Sequence, residues 1–373
     1  MTSPAIDPNR PATGITNSLA SGQLPRLINV WVTVGALVVS AGVVALLGGY
    51  SNPTNGVTGT LVLTGLLYLI VITIASALVE NGRKAVDRLV RGLVTVAFLL
   101  ALIPLVSTLW TVVSKGIGQL NWSFISQTGG SSFDPETLEV TQRVGAWQAI
   151  VGTLEITGIA TLISVPIGIL TAIYLVEYAQ PSNLLRRVVT FLVDVMTGIP
   201  SIVAGLFAFA LFTLIVGPKA FSGFSASVAL CVLMIPIVVR STEEMLRLVP
   251  MDLREASYAL GVNRSLTIIK VVLRTAVSGI ITGVMLAIAR VIGETAPIFI
   301  AASFTDNFNA NPFNGPMQTL PVLAYSGIKF PGQDIEASND AAWGAALLLV
   351  LLVVVFNLIA RIVAVVFSPK SGR

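Results

Sequence analysis

Apolar residues run along the chain in long uninterrupted stretches, with short polar segments between them. Eight of these stretches approach or exceed the roughly 20 residues that a helix needs to cross a bilayer. The short segments of alternating polarity that are typical of membrane β-barrels do not occur in the sequence. The pattern therefore predicts an all-α polytopic membrane protein of about eight spans, at about 27–49, 57–79, 93–114, 147–177, 188–216, 224–240, 276–302 and 341–366.

The fourth and fifth predicted spans contain residues that disturb a helix. Pro166 and Gly168 lie in the fourth, and Gly198 and Pro200 lie in the fifth. Proline cannot donate the backbone hydrogen bond of a regular helix, and its ring collides with the preceding turn. We therefore expect both spans to be bent or tilted.

The composition agrees with the pattern and excludes several functions. The chain is 54% hydrophobic and 11% charged, whereas a soluble domain has about 25% charged residues. It has no histidine and a single cysteine, Cys231, so neither histidine-based catalysis nor an internal disulfide is possible. The sequence contains no GxxxxGK[ST] loop. We expect no enzymatic activity in the chain itself, no cofactor and no metal site.

The positions of the basic residues indicate an orientation. If the N-terminus is cytoplasmic, only four of the 22 Lys and Arg residues fall in outer segments, and Arg290 alone lies inside a span. Basic residues concentrate on the cytoplasmic side of membrane proteins. We therefore expect residues 1–26 and 367–373 to be cytoplasmic tails, the first of them disordered. The four outer basic residues are Lys115, Arg143, Lys219 and Lys329.

Two outer segments, 115–146 and 303–340, are long, polar and interspersed with aromatic residues. Long loops of this kind are either solvated connections or functional surfaces. The second interpretation is a docking surface for an extracytoplasmic partner, and the sequence leaves both open.

The inner loop 241–275 has the pattern of a short amphipathic helix. Leu253, Ala256 and Leu260 fall on one helix face, together with Ala259. Gly261 is placed to end this helix in a left-handed cap, and "NRSLT" is suited to start the next. Such a helix could lie along the membrane surface or dock into a partner protein, and the pattern favours neither.

The motif "RVIGETAP" places Arg290 and Glu294 inside the seventh predicted span. An arginine at the centre of a span costs roughly 2.5–3.5 kcal/mol to insert. The two residues are four apart, so on one helix they share a face and can pair. The alternatives are a structural ion pair or a path for an anion, which a forked guanidinium binds well and to which Thr295 adds a hydroxyl.

Three further charged residues lie in or near spans. Arg240 is either a second residue of an anion path, at its inner mouth, or an anchor at the inner membrane surface. Asp194 is expected to form an interfacial ion pair with the neighbouring Arg186 or Arg187, and Glu155, near an outer span end, is expected to contact water.

The segment "REASYALGVNRSLTIIKVVL" resembles the EAA loop of ABC importer permeases. Glu255, Ala256 and Gly261 match the family's pattern at the right spacing, and Leu273 matches its later leucine. Three positions depart from that pattern, and they are Ser257, Val271 and Arg274.

Other segments resemble the permease subunits of phosphate-specific ABC importers, of the PstA type. They include "GIPSIV" (198–203), "RVIGETAP" (290–297) and "TLPVLAY" (319–325), and the resemblance covers roughly residues 93–366. It implies a type I ABC importer permease core of six spans. The two spans within 27–92 are additional to that core, and the resemblance says nothing about their role.

The resemblance implies a transport subunit of the bacterial inner membrane that carries inorganic phosphate and needs several partners. These are a second homologous permease (PstC type), a dimer of ATPase subunits (PstB type) and an extracytoplasmic phosphate-binding protein (PstS type). The alternatives are a permease for another oxyanion, such as sulfate or molybdate, or a membrane phosphate sensor or scaffold that transports nothing.

By the same resemblance, the helix before Gly261 is the coupling helix that docks on the ATPase. The residues assigned to this coupling are Arg254, Glu255, Ala256, Leu260 and Gly261. A purely helix-stabilising role for Glu255 is compatible with the coupling role, because a carboxylate in the first turns of a helix is favoured by the helix dipole.

Overall fold

The computed structural model of the protein describes residues 24–25, 27–48, 53–133, 140–218 and 220–367. Most of the predicted N-terminal tail, nearly all of the C-terminal tail, Lys219 and part of the outer segment 115–146 therefore lie outside the described residues. The chain divides into two compact units, Met1–Leu109 and Trp110–Arg373. The predicted boundary at 92/93 lies within the third helix, and it stays a prediction.

The first unit holds α1 (Ile28–Leu46), α2 (Pro53–Val79) and most of α3 (Gly82–Gly116). Glu80, in the short connection between α2 and α3, accepts hydrogen bonds from Arg88 Nε at 2.8 Å and Arg88 Nη2 at 2.9 Å. The hydroxyl of Ser76 also donates to it at 2.8 Å. The Arg88 and Ser76 hydrogen bonds lower the pKa of the Glu80 carboxyl to about 2, because they stabilise its charged form.

The second unit begins in the last turns of α3 and contains the remaining elements. They are a short 3-10 turn (Ile117–Gln119), α4 (Trp122–Ser126), β1 (Thr128–Phe133), β2 (Val140–Ala146), α5 (Trp147–Ile173), α6 (Leu184–Gly198), α7 (Ser201–Val216), α8 (Gly223–Arg247), α9 (Met251–Ala259), α10 (Arg264–Thr267), α11 (Leu273–Val291), α12 (Ala296–Ala302), α13 (Leu320–Lys329) and α14 (Ile335–Phe367). Two π-helical turns, Tyr174–Tyr178 and Ile268–Val272, follow α5 and precede α11.

The number of helices agrees with the number of predicted spans, but the fifth and the seventh predicted spans are not single continuous helices. Seven helices in the described ranges are long and apolar enough to cross a membrane, and the pair α6 and α7, bent by 110° at Ile199–Pro200, gives an eighth. The fifth predicted span is therefore a sharp corner, since Pro200 can start α7 but cannot continue α6. The seventh is the long α11 followed by a break and the short α12.

The outer segment after α3 contains the strands, which the sequence pattern does not predict. β1 and β2 pair antiparallel from Thr128 opposite Ala146 to Phe133 opposite Val140. The side chain of Gln148, at the start of α5, accepts from Gly129 N–H at 3.0 Å and donates to Gln318 at 3.2 Å. The hairpin is thereby joined to the start of α5 and to the outer segment 303–340.

Small residues allow the helices of the second unit to pack closely. A Cβ on Gly168 of α5 would lie 2.8 Å from the Cβ of Val238 in α8, and one on Gly283 of α11 would lie 2.6 Å from that of Ser241 in α8. Membrane helices associate through such small-residue contacts, because apolar side chains gain little by leaving lipid. The buried core around α8 consists mainly of Ile156, Ala160, Ala226, Ala229, Leu230, Met234 and Val238.

Candidate functional site

The seventh span is broken at the conspicuous charged motif. Arg290 lies in the last turn of α11, which ends at Val291, and Glu294 lies in the connection before α12. The backbone N–H of Glu294 donates to the carbonyl of Val291 at 3.1 Å. The predicted four-residue helical spacing therefore does not apply, because Glu294 is outside the helix. Pro297 lies in the first turn of α12, where a missing N–H is tolerated.

Arg290 is exposed, whereas Glu294 and Thr295 are half-buried. Among the residues that the structure describes, none forms an ion pair or a hydrogen bond with the side chains of Arg290 or Glu294. The predicted possibility that the two residues pair with each other is therefore not realised in this structure. A guanidinium in a span needs a cavity, water or another protein beside it, so the uncovered side of Arg290 is a candidate binding surface.

Arg240, in α8, has quite different surroundings. Its guanidinium donates to Asp194 of α6 and, at 2.8 Å, to Glu243 of α8. Glu243 also accepts from Arg247 at 2.8 Å. The expected ion pair of Asp194 is present, but its partner is Arg240 and neither Arg186 nor Arg187. Two carboxylates thus balance the charge of Arg240 and join α6 to α8.

The predicted amphipathic helix of the inner loop is α9, and its apolar face is uncovered. Leu253 and Leu260 are 42% and 83% exposed, and Glu255, Ala256 and Ala259 are exposed as well. Such a row of uncovered apolar side chains marks an interaction surface. The predicted coupling residues lie on it except for Arg254, which is only 7% exposed.

The end of α9 has the predicted geometry. Gly261 adopts a φ of +74°, and its N–H donates to Tyr258 O at 2.9 Å while that of Val262 donates to Ser257 O at 3.2 Å. This pair of bonds is a Schellman cap, which needs a left-handed residue at the glycine position. Asn263 then caps α10 by accepting from Leu266 N–H at 2.9 Å. The sharp turn at Gly261 and the helix start within "NRSLT" are both confirmed.

Arg254 points into the protein and does not lie on the exposed face of α9. Its guanidinium donates to the carbonyls of Val249 at 2.6 Å and Leu246 at 2.9 Å, and to Glu177 Oε1 at 2.8 Å. Sequence reasoning missed Glu177, although an acidic residue at the inner end of an apolar span was a usable signal. Its side chain is 7% exposed.

Four aromatic rings connect α12 with the segment 303–340. Phe299 of α12 stacks on Phe304 with ring centroids 5.6 Å apart, and on Phe330 at 6.4 Å, while Tyr325 of α13 meets Phe299 edge-on at 5.7 Å. Phe304, Tyr325 and Phe330 are at least 40% exposed. The outer segment is therefore packed against the broken span, and it still offers an aromatic surface.

Comparison with known proteins gives the class of the chain. Residues 164–373 match the family model described as "Binding-protein-dependent transport system inner membrane component". The match covers more than half of the chain and includes α9, Arg290 and Glu294. The chain belongs to this family of multi-pass inner-membrane transport components, which are not enzymes.

Individual relatives narrow this class. The phosphate transport system permease protein PstA 1 of Mycobacterium tuberculosis (strain CDC 1551 / Oshkosh) is 42% identical over 275 residues, 74% of this chain and 87% of the relative. PstA of Pasteurella multocida (strain Pm70) is 39% identical over 292 residues, 78% of this chain and 97% of the relative. Within the broader family, the chain belongs to the PstA permeases. A solved structure of the MetNI methionine ABC transporter, inward facing, has 22% identity and a TM-score of 0.46, and the match covers 60% of this chain and 95% of that chain.

Proposed function

We propose that the chain is a permease subunit of an ATP-driven importer of inorganic phosphate and that it forms half of the translocation path. The observation that carries this proposal is the exposed guanidinium of Arg290, which has no partner among the described residues and lies at a break in a span. The relatives' names as phosphate transport permeases support the same substrate.

The chemistry of Arg290 suits phosphate. Phosphate at neutral pH carries one to two negative charges and several acceptor oxygens, and a guanidinium offers planar, forked donors that never lose their charge. Glu294 is near in sequence and half-buried, so its negative charge keeps binding weak enough for release. It also accepts a hydrogen bond from a protonated phosphate oxygen, while the hydroxyl of Thr295 donates one.

Arg240 is a secondary residue of this path, at its inner mouth. Asp194 and Glu243 already balance its charge and accept from both of its terminal nitrogens, so its attraction for an anion is weaker than that of Arg290. Weak sites after a strong one suit conduction, because the anion must leave toward the cytoplasm.

The partners follow from the surfaces that the chain leaves uncovered. Arg290 is open on one side, and a second homologous permease of the PstC type supplies the other half of the path. The exposed face of α9, with Glu255, Ala256 and Leu260 and the turn at Gly261, docks on an ATPase dimer of the PstB type. A phosphate-binding protein of the PstS type delivers phosphate to the outer segments 115–146 and 303–340.

The orientation that this assembly needs places both termini and the loop 241–275 in the cytoplasm. The concentration of Lys and Arg residues in the segments on that side supports it. In this orientation the hairpin β1–β2 and the aromatic surface of Phe304, Tyr325 and Phe330 face the binding protein.

Competition among oxyanions tests the substrate directly. The complex with its two partner subunits is reconstituted in vesicles with the binding protein, and ATP-dependent uptake of labelled phosphate is measured with arsenate, sulfate or molybdate in excess. Arsenate is expected to compete, and sulfate and molybdate are not. Equal competition by sulfate or molybdate indicates a different oxyanion permease, and phosphate binding without uptake indicates a sensor or scaffold.

A further inference from the structure

Arg254 connects three elements at the inner side of the second unit. It belongs to α9, and its acceptors Leu246 and Val249 lie at and just beyond the end of α8. The last carbonyls of a helix lack partners within that helix, and Arg254 supplies donors to this end of α8. The remaining oxygen acceptor, Glu177, belongs to the turn that follows α5.

Glu177 lies within a π-helical turn, Tyr174–Tyr178. Here the N–H of Ala179 donates to Tyr174 O at 2.8 Å, five residues back. Such turns are rare and occur frequently at functional sites. The second π turn, Ile268–Val272, lies where the chain enters α11, and this turn packs beside α9. Two of the three spans that contact this part of the chain, the one containing α5 and the one containing α11, therefore leave regular helical geometry near α9.

Ser257, three residues after Arg254 and on the same buried face of α9, makes a second polar contact. The hydroxyl of Ser257 lies 2.9 Å from that of Thr267 in α10, and both side chains are buried. α10 continues through the π turn into α11, and together they form a span from Arg264 to Val291. Arg290 lies at the far end of this span.

The two faces of α9 therefore differ in their surroundings. One face is exposed and apolar, and the other is held by Arg254 and Ser257. A buried ion pair gives little net stability compared with apolar packing of the same volume, whereas removal of one of its partners leaves an uncompensated buried charge. The pair therefore holds α9 only where both side chains meet. Arginine suits this position because a fork of several donors reaches three acceptors, which the single ammonium of lysine does poorly.

We infer that the buried Arg254–Glu177 ion pair is a positioning contact, which transmits the displacement of α9 to the inner ends of α5 and α8. Ser257 and Thr267 transmit the same displacement to α11. Both side chains are buried, so their role is to position α9 and not to bind phosphate or the ATPase. The inference rests on the proposed function only in requiring that α9 is the surface on which the ATPase acts.

The test measures coupling and not activity alone. The full complex carrying Glu177→Gln, Arg254→Gln or both is reconstituted in vesicles, and anion uptake and ATP hydrolysis stimulated by the loaded binding protein are recorded together. We expect the anion transported per ATP to fall by about tenfold, with the ATPase still bound. The double variant is expected to match the more affected single variant, because one contact is lost in all three.

A matched control is Asp87→Asn, which removes an exposed ion pair with Arg91 in the first unit and is expected to keep the wild-type ratio. If the Glu177 and Arg254 variants fail to assemble, Ser257→Ala tests the same linkage by removing one hydroxyl, with an expected fall of about threefold. The inference is overturned if assembled Glu177→Gln keeps the wild-type ratio of anion transported to ATP hydrolysed, or if the losses of the two single variants add in the double variant. Where those variants do not assemble, a wild-type ratio in Ser257→Ala overturns it. Failure of the wild-type complex to transport phosphate contradicts the proposed substrate instead, since the ratio can be measured with whichever oxyanion it carries.

Discussion

The inner loop and the broken span each contain a helical arginine, Arg254 in α9 and Arg290 in the last turn of α11, and the two side chains have opposite surroundings. Arg254 is buried and donates to two carbonyls and to Glu177. Arg290 is exposed and has no partner among the described residues. A guanidinium that is held by several buried acceptors is fixed in place, whereas one with open donors can bind an anion.

This difference separates two roles that look alike in the sequence. Both arginines are followed, one or four residues later, by a glutamate, Glu255 or Glu294, and neither is paired with it. What distinguishes them is the set of acceptors brought close by other elements. The turn after α5 and the end of α8 supply acceptors to Arg254, and no described element supplies any to Arg290.

Replacing Arg290 by Gln gives the largest effect expected. Uptake should fall by about 100-fold, because the loss of two hydrogen bonds to a charged ligand costs about 3 kcal/mol. Uptake of labelled phosphate by the reconstituted complex measures it, and co-purification of the ATPase should be unchanged. Arg91→Gln, at an exposed arginine of the first unit, is the matched control. Wild-type uptake by the Arg290 variant would remove this residue from the path.

Glu255→Ala tests the inner loop, the other region of the comparison. Glu255 is exposed on α9, so its loss should weaken ATPase binding or coupling by about tenfold, as expected for a well-placed interface residue. ATPase co-purification and the uptake per ATP hydrolysed measure the two possibilities. Glu336→Ala makes the same change in the first turn of α14, in the segment proposed to face outward, and should alter neither. An intact complex with wild-type coupling would argue against docking at this face.

The features that could be predicted from the sequence are those fixed by nearby residues. The span count follows from long apolar runs, and the end of α9 follows from Gly261 and Asn263, whose effects act within a few residues. The exposed face of α9 was predictable from its periodicity. Whether membrane or protein covers that face was not, because the periodicity of a helix does not identify what packs on it.

The features that were missed depend on distant contacts. The break after Val291 places Pro297 against α7, where a Cβ on Gly205 would lie 2.6 Å from the Cα of Pro297, and no local pattern contains that contact. The burial of Arg254 required Glu177, which is 77 residues away. The hairpin β1–β2 was missed because β1 contains two glycines, which have low strand propensity, and because its strands are held by each other and by Gln148.

The smallest effect expected is on thermal stability. The test compares a glycine of the inner loop, Gly261, with a glycine of the broken span, Gly293. Gly261→Ala in the inner loop forces a side chain into a φ of +74°, which costs about 1 kcal/mol and should lower the midpoint of thermal unfolding by about 2 °C. Gly293→Ala in the broken span has no such strain, since its nearest neighbouring atom is Arg290 O at 4.0 Å and its φ is not left-handed. Thermal unfolding of the two purified variants measures the difference. Equal midpoints would show that the cap at Gly261 is not strained by alanine, and that the inner loop holds its geometry through Arg254 and Ser257 alone.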